Sequence, residues 1–248
     1  MRSFISSVKY LPAILFWLII WHIVSVFVAN SIVLVSPLET FTALIRLLFL
    51  SSFWGSITFS ITRIVLGFLL ALFAGIVLAA ISARLKFFYI LLLPAINTIK
   101  SIPVASFTIL ALWWVQASNL SIFIAFVTVL PIVFFNTYEG IKNINTKLLE
   151  MAEIFRIKHY KKTLHIYAPA VIPHIVSACA SGLGFAFKAG VAAELIGLID
   201  NSIGRNLHTA RIFLETADLL AWTITIVILS FIMEKIIHFC LKRILLWL

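Results

Sequence analysis

Two lysines and a glutamate stand inside otherwise apolar stretches: Lys100, Lys188 and Glu194. A lysine in the middle of a bilayer costs about 2.5–3.5 kcal/mol on insertion scales, so it must face a cavity or a partner. Pro103 follows Lys100 by three residues. Lacking an N–H, it frees backbone carbonyls and kinks a helix. One use of these groups is a passage biased toward an anionic solute, with Lys100, Pro103, Lys188 and Glu194 along it. The other is structural: Lys100 satisfies the carbonyls near Pro103, and Lys188 snorkels outward. Lys188 and Glu194 are six residues apart, hence on different helix faces, so no pair forms between them within one helix.

Other chemistry finds little support. No G-x-x-x-x-G-K-[ST] sequence occurs, so the chain has no phosphate-cradling loop of its own. Gly182-x-Gly184 is not a dinucleotide fingerprint, since no strand precedes it and the third glycine is out of register. Small residues that let helices pack closely are the simpler reading. The six histidines are scattered, no H-E-x-x-H occurs and no metal site is expected; His22 and His174 read as packing groups. Cys179 and Cys240 lie in apolar stretches and imply no disulfide framework. A membrane-embedded enzyme would need a nucleophile or metal set that these few charges do not supply.

The elements that position such groups must be membrane helices. The 248 residues are 63% hydrophobic and 11% charged, against about 45–50% and about 25% in soluble domains. A water-soluble fold of this size could not hide that much apolar surface. The formal net charge is +10. Binders of single-stranded nucleic acid interleave charge with stacking aromatics. Here the basic residues sit between long apolar runs, so their counterpart is the membrane face.

At about 1.5 Å per residue, a crossing helix needs roughly 20 apolar residues. Six segments fit: 11–29, 57–81, 87–113, 120–138, 170–195 and 219–239. The first is too long for a signal-peptide core and is expected to stay as a span. Lys100 then falls near mid-bilayer. With the N-terminus inside, the inner side holds Arg2, Lys9, Arg84, Lys86, Lys142, Lys147, Arg156, Lys158, Lys161, Lys162, Lys235, Lys242 and Arg243. The outer side holds only Arg46, Arg63, Arg205 and Arg211. That bias places both termini in the cytoplasm. Ser36-Pro37-Leu38-Glu39 reads as a helix start, and 40–50 as a short apolar helix along the outer surface. No internal repeat or soluble domain is seen, so residues 1–248 form one membrane domain, with its core at 52–243.

The longest inner loop, 139–169, does not read as disordered. Glu150-Met151-Ala152-Glu153-Ile154-Phe155-Arg156 favours a helix with acids at its start, and Lys158, Lys161 and Lys162 follow its end, as a helix dipole prefers. Met151, Ile154, Phe155 and Ile157 approximate an apolar stripe. Pro169 and Pro173 mark the start of the fifth span. Such a helix either lies on anionic headgroups or fits a groove on a cytoplasmic partner.

Glu150-x-Ala152, a basic stretch and Pro169-Ala170-x-x-Pro173 resemble the "EAA" loop of ABC importer permeases, and more narrowly their nitrate/sulfonate/taurine branch. Similar matches are Ser36-Pro37, Thr58-x-Ser60-x-x-Arg63-x-x-x-Gly67, Pro94, Ile102-Pro103-Val104-Ala105, Pro131 and Asn136-Thr137-x-x-Gly140. The run from Gly182 through Gly184, Ala186, Lys188, Ala192 and Ala193 to Glu194 also matches. The resemblance covers roughly residues 36–243; its motifs are weak singly and specific in their order. Two departures stand out. The family's glycine four residues after the EAA alanine is Arg156 here, so the helix is expected to run longer. In place of a second proline after Ile-Pro the chain has Ser106-Phe107-Thr108-Ile109.

The resemblance implies an all-α bundle of six transmembrane helices, a MetI-like permease fold in the bacterial-type cell membrane. It implies a transport subunit and not an enzyme. This chain would bind no cofactor, ATP and Mg being held by a separate ATP-binding cassette subunit. The other implied partners are a second permease subunit, identical or not, and an extracytoplasmic solute-binding protein. The ATPase would be gripped through Glu150, Met151, Ala152, Glu153, Ile154, Phe155 and Arg156. A stand-alone carrier or channel for small anions is the competing reading. It would need no docking loop, and such carriers usually show inverted repeats.

Overall fold

The computed structural model describes the backbone of residues 2–247 and the side chains of 12–237 and 239. Arg2, Lys9, Cys240, Lys242 and Arg243 therefore have side chains outside the described residues. Among the described residues every regular element is helical. In chain order they are α1 (Arg2–Val28), α2 (Pro37–Leu48), α3 (Ser51–Arg84), α4 (Lys86–Ser101), α5 (Val104–Ala111), α6 (Leu120–Lys142), α7 (Thr146–Ile154), α8 (His159–Lys162), α9 (Ala168–Gly197), α10 (Ile203–Ile212) and α11 (Thr216–Trp247). A 3₁₀ turn over Ala117–Asn119 leads into α6, and a π turn over Thr163–Tyr167 joins α8 to α9.

Four runs are long and apolar enough to cross a membrane: Ser51–Arg84, Ala117–Lys142, His159–Gly197 and Thr216–Ile237. The expected span over 87–113 is not one helix. Ile102 and Pro103 take extended backbone angles, and α4 and α5 meet at 104°. Proline disfavours the helical conformation of the residue before it, and here Ile102 takes the extended one, which breaks the run. Counting the bent pair as one crossing gives five. Within α1 the apolar run Pro12–Val28 is shorter. It is anchored by the Trp21 indole, which donates to the Val35 carbonyl at 3.0 Å.

The core is the triple seam of α3, α6 and α9, where Ile64, Phe68, Val129, Leu183 and Phe187 are all but fully buried. In lipid such seams rest on close van der Waals contact between small residues. A Cβ on Gly67 would collide with the Ile122 carbonyl oxygen, and one on Gly190 with the Ile64 side chain. Gly182 serves the same end against Val129, whereas Gly184 faces open space and contributes nothing to packing.

Three polar ties fix the direction of these helices. Lys142 Nζ donates to the Ala83 carbonyl at 3.2 Å, joining the C-terminal ends of α3 and α6. Arg63 reaches Asn119, just ahead of α6, at 3.5 Å. Thus α3 and α6 are parallel, and α4–α5 carries the chain from one end of the bundle back to the other. Ser60 meets Glu194, so α9 runs antiparallel to both. Arg63, counted on the outer side, lies within α3 with its guanidinium 4.3 Å from the Phe59 ring centre.

Beside α11, α2 starts as its sequence indicates. Ser36 caps it, the Glu39 side chain returns to the Ser36 N–H at 3.1 Å, and Pro37 occupies the first turn. This reciprocal cap satisfies two otherwise orphaned donors. Arg46 pairs with Asp218 at the start of α11.

Candidate functional site

The segment after α6 folds into a compact projection. Ile144 is buried, and the Asn145 side chain accepts from the Lys147 N–H at 3.0 Å, which starts α7. The helix therefore begins at Thr146, four residues before Glu150, and has no acid in its first turn. The acids expected at the helix start lie in its second half instead, because an asparagine cap replaced the carboxylates as partner for the free N–H groups.

The far end departs from expectation as well. The helix does not run on but stops at Ile154, and Arg156 takes φ 49°. The Ile157 N–H donates to the Ala152 carbonyl at 2.9 Å, and the Arg156 N–H to Glu153 at 3.0 Å. This is a left-handed helix ending, in which glycine is the usual occupant. Arginine accepts it at a cost of about 1–2 kcal/mol. Beyond the turn, Lys162 of α8 returns to Glu153 at 3.5 Å and braces the projection.

On α7, Ile154 is 78% exposed and Phe155 73%, with Met151 and Leu148 also exposed. Ala152 is buried and serves the loop's own packing. Glu150, Glu153 and Arg156 are exposed. Leu148 was not among the residues singled out, although its spacing of three and seven from Met151 and Phe155 puts it on the same stripe. Continuous helix from His159 through the π turn to Gly197 carries the chain back into the bundle, so the fifth span starts well before Ala170. His174 packs against Gly140 there, while the His22 side chain is exposed and not a packing group.

A second feature lies at the α4–α5 break. A cavity of about 390 Å³ opens between the break, α6 and α9. Its walls are apolar (Ile99, Val104, Phe107, Ile132) with Lys100 and Thr128 as polar points and Phe185 closing the α9 side. Lys100 sits in the last turn of α4 and is exposed; its ammonium lies 5.5 Å from the Phe135 ring centre. Lys188 is also exposed and stands 5.8 Å from the ring of the same Phe185. Pro103 caps α5 at the rim. The break thus brings Lys100, Pro103 and, through Phe185, Lys188 toward one region.

Glu194 lies elsewhere. It is fully buried between α3, α9 and α10. One carboxylate oxygen accepts from Ser60 Oγ at 2.8 Å and from the Gly204 N–H at 3.2 Å, while the Ile203 N–H donates to Ser60 Oγ at 3.0 Å. Asn206 adds a bond to Ser56 at 2.9 Å. A Cβ on Gly204 would drive into Glu194 Cβ and the Leu195 backbone. Glu194 therefore clamps α10 to the bundle and shares no contact with Lys188 six residues before it. Ser60 and Glu194 each stand in a sequence motif, but their pairing, across 134 residues, was not legible.

Known proteins agree with this architecture. The putative aliphatic sulfonates transport permease SsuC of Bacillus subtilis is 26% identical over 96% of this chain and 86% of its own length. The nitrate import permease NrtB of Synechococcus elongatus is 29% identical over 60% of this chain and 53% of its own. Among solved structures, a bacterial ABC transporter involved in import of the acidic polysaccharide alginate superposes with a TM-score of 0.63. It covers 98% of this chain and 96% of that one at 14% identity, so the fold is shared. The profile described as "Binding-protein-dependent transport system inner membrane component" matches residues 71–245. The chain belongs to that family, the multi-pass plasma-membrane permeases of ABC transporters, and matches its nitrate/sulfonate branch.

Proposed function

We propose that this chain is the permease subunit of an ATP-driven importer for a small anionic solute handed over by an extracytoplasmic binding protein. A separate ATPase subunit grips the 139–169 projection. The observation that carries this reading is α7: a short, capped and braced helix with a bare apolar face, the form a helix takes when it docks in a partner's groove. A stand-alone carrier would have no use for it.

In this reading six spans cross the membrane, α1 and the bent α4–α5 pair among them, and both termini are cytoplasmic. The α7 end is the inner one, in keeping with Arg84, Lys86, Lys142 and Lys147 gathered there. A second permease subunit, identical or not, completes the passage. Closure of the ATPase dimer on nucleotide moves the paired projections, and the bundles rock to open outward. Lys100, at the only bent crossing among the described residues, supplies positive charge to the path. Pro103 shapes it and Lys188 stands at its edge. Glu194 holds α10 in place beside it. Relatives named for sulfonates and nitrate support a small anion as the solute.

Co-purification tests the coupling. An ATP-binding cassette subunit co-expressed with this chain is retained by the native protein and lost on Glu150→Lys; retention by the variant would refute the docking role. For the path, Lys100→Met lowers anion uptake about tenfold, the effect of one favourable contact of about 1.4 kcal/mol, with the amount of assembled protein unchanged. Undiminished uptake would remove Lys100 from the path.

A further inference from the structure

The exposed side chains of the bundle divide by helix. At mid-height on α3 they include Leu66, Leu69, Leu70 and Phe73, and on α11 Val227, Ile228 and Phe231. Those faces suit lipid. On α9 the exposed positions Ser177, Ser181, Phe185 and Lys188 recur every three or four residues and so share one face. On α4, Asn97, Lys100 and Ser101 are exposed together toward its C-terminal end. Phe185 joins the two sets, since its ring stands by Lys188 and closes the cavity that Lys100 lines. Depth excludes a surface explanation. A Cβ on Gly182 would meet Val129 and Phe68, which lie midway along α6 and α3. At about 1.5 Å per residue, Ser177 and Lys188 stand within about 9 Å of that level, inside a hydrocarbon core of about 30 Å.

Polar groups exposed at that depth need water or a polar partner in place of lipid. Among the described residues neither lysine has an ion pair. Asn97 and Ser177 lend only their backbone carbonyls, to Ser101 at 2.9 Å and Ser181 at 3.1 Å, and make no side-chain hydrogen bond among the described residues. Ser181 has therefore spent its proton, whereas Asn97 and Ser177 keep free donors. Of α4, α5 and α9 the one acid is Glu194, buried against α3 and α10. A dry contact with a second copy would set lysine against lysine, so water must separate them. We propose that this face is the wetted wall of the passage, with Asn97 and Ser177 as solute contacts that donate to the oxygens of an anion. Passing along it, the anion meets two fixed charges and two neutral donors, each weak enough to let it leave. The proposal rests on the reading of Lys100 as part of the path.

The test labels single cysteines in the full chain, co-expressed with its partner subunits and held in opened membrane vesicles. Cys240→Ala is the background, and the buried Cys179 is kept. The probe is a water-soluble, anionic methanethiosulfonate. Ser177→Cys and Asn97→Cys react about tenfold or more faster than Leu69→Cys and Phe231→Cys, because the reactive thiolate forms in water and not in lipid. Ser177→Cys is nearly isosteric, so it carries the test if Asn97→Cys fails to accumulate. Slow reaction at both wall positions overturns the proposal, since lipid or a dry partner then covers the face. So does equal reaction at all four positions. In uptake, Ser177→Ala and Asn97→Ala each lower the rate about fivefold, the range of one neutral hydrogen bond. Ser181→Ala, whose proton is already spent, leaves the rate near native. Undiminished uptake in the first two, with Lys100→Met impaired, overturns the solute contacts and leaves the path itself standing. Labelled wall cysteines with undiminished uptake in Lys100→Met do the opposite: the face is wet, and the anion-path reading fails.

Discussion

The two ends of the bundle are made in opposite ways. At one end, Glu194, Ser60, Ile203 and Gly204 lock α10 to α3 and α9 with no exposed side chain on the carboxylate and no room for a Cβ. At the other, α7 carries its largest apolar side chains outward, ends on a strained arginine and is braced by one long ion pair. At the first end one Glu194 oxygen, Ser60 and two amides are satisfied within the chain, and the other carboxylate oxygen is buried without a partner. Interactions at the second are left open, which is how a surface looks when a second protein completes it. The same composition of helix and loop thus separates a part that must hold from a part that must be held.

Substitutions at the two ends should therefore fail in different assays. Gly204→Val forces backbone and carboxylate apart, and a collision with backbone leaves α10 nowhere to relax. Unfolding in detergent should show a loss of about 3 kcal/mol or more; a stability near that of the native chain would mean that the clamp is not tight. Phe155→Ala leaves an exposed site and should not alter unfolding. It weakens ATPase association by about 2 kcal/mol, near thirtyfold, as truncation of an aromatic anchor does. A variant that unfolds early while binding normally would reverse the contrast. The smallest effect is a gain. Arg156→Gly removes a left-handed penalty of about 1–2 kcal/mol but adds unfolded-state freedom of about 0.5–1 kcal/mol. Hydrogen exchange in α7 should slow by a net of about 0.5–1 kcal/mol, and faster exchange would show that the arginine side chain holds the turn.

What the sequence made legible follows the range of each interaction. Ser36, Pro37 and Glu39 are neighbours, so the start of α2 could be read directly. Long apolar runs announced four of the crossings, and Pro103 a kink in a fifth, though not the 104° turn, which depends on what α5 packs against. The projection was found by its loop and stripe, but its start was misplaced because Asn145 caps α7 in place of the acids. The helix ending was misjudged because propensity disfavours arginine at a left-handed position, although the backbone bond from Ile157 to Ala152 that closes it is local. Glu194 was recognised as an unusual group and assigned to a path. Its real neighbours come from α3 and α10, and nothing local in α9 names them.

Where α3, α6 and α9 meet, the missing side chains of Gly67 and Gly190 bring neighbouring helices into direct contact. Such a seam has no slack to absorb a push. In the proposed reading the three helices move as one stiff body when α7 is pushed, and bending falls to α1 and the elbow between α4 and α5.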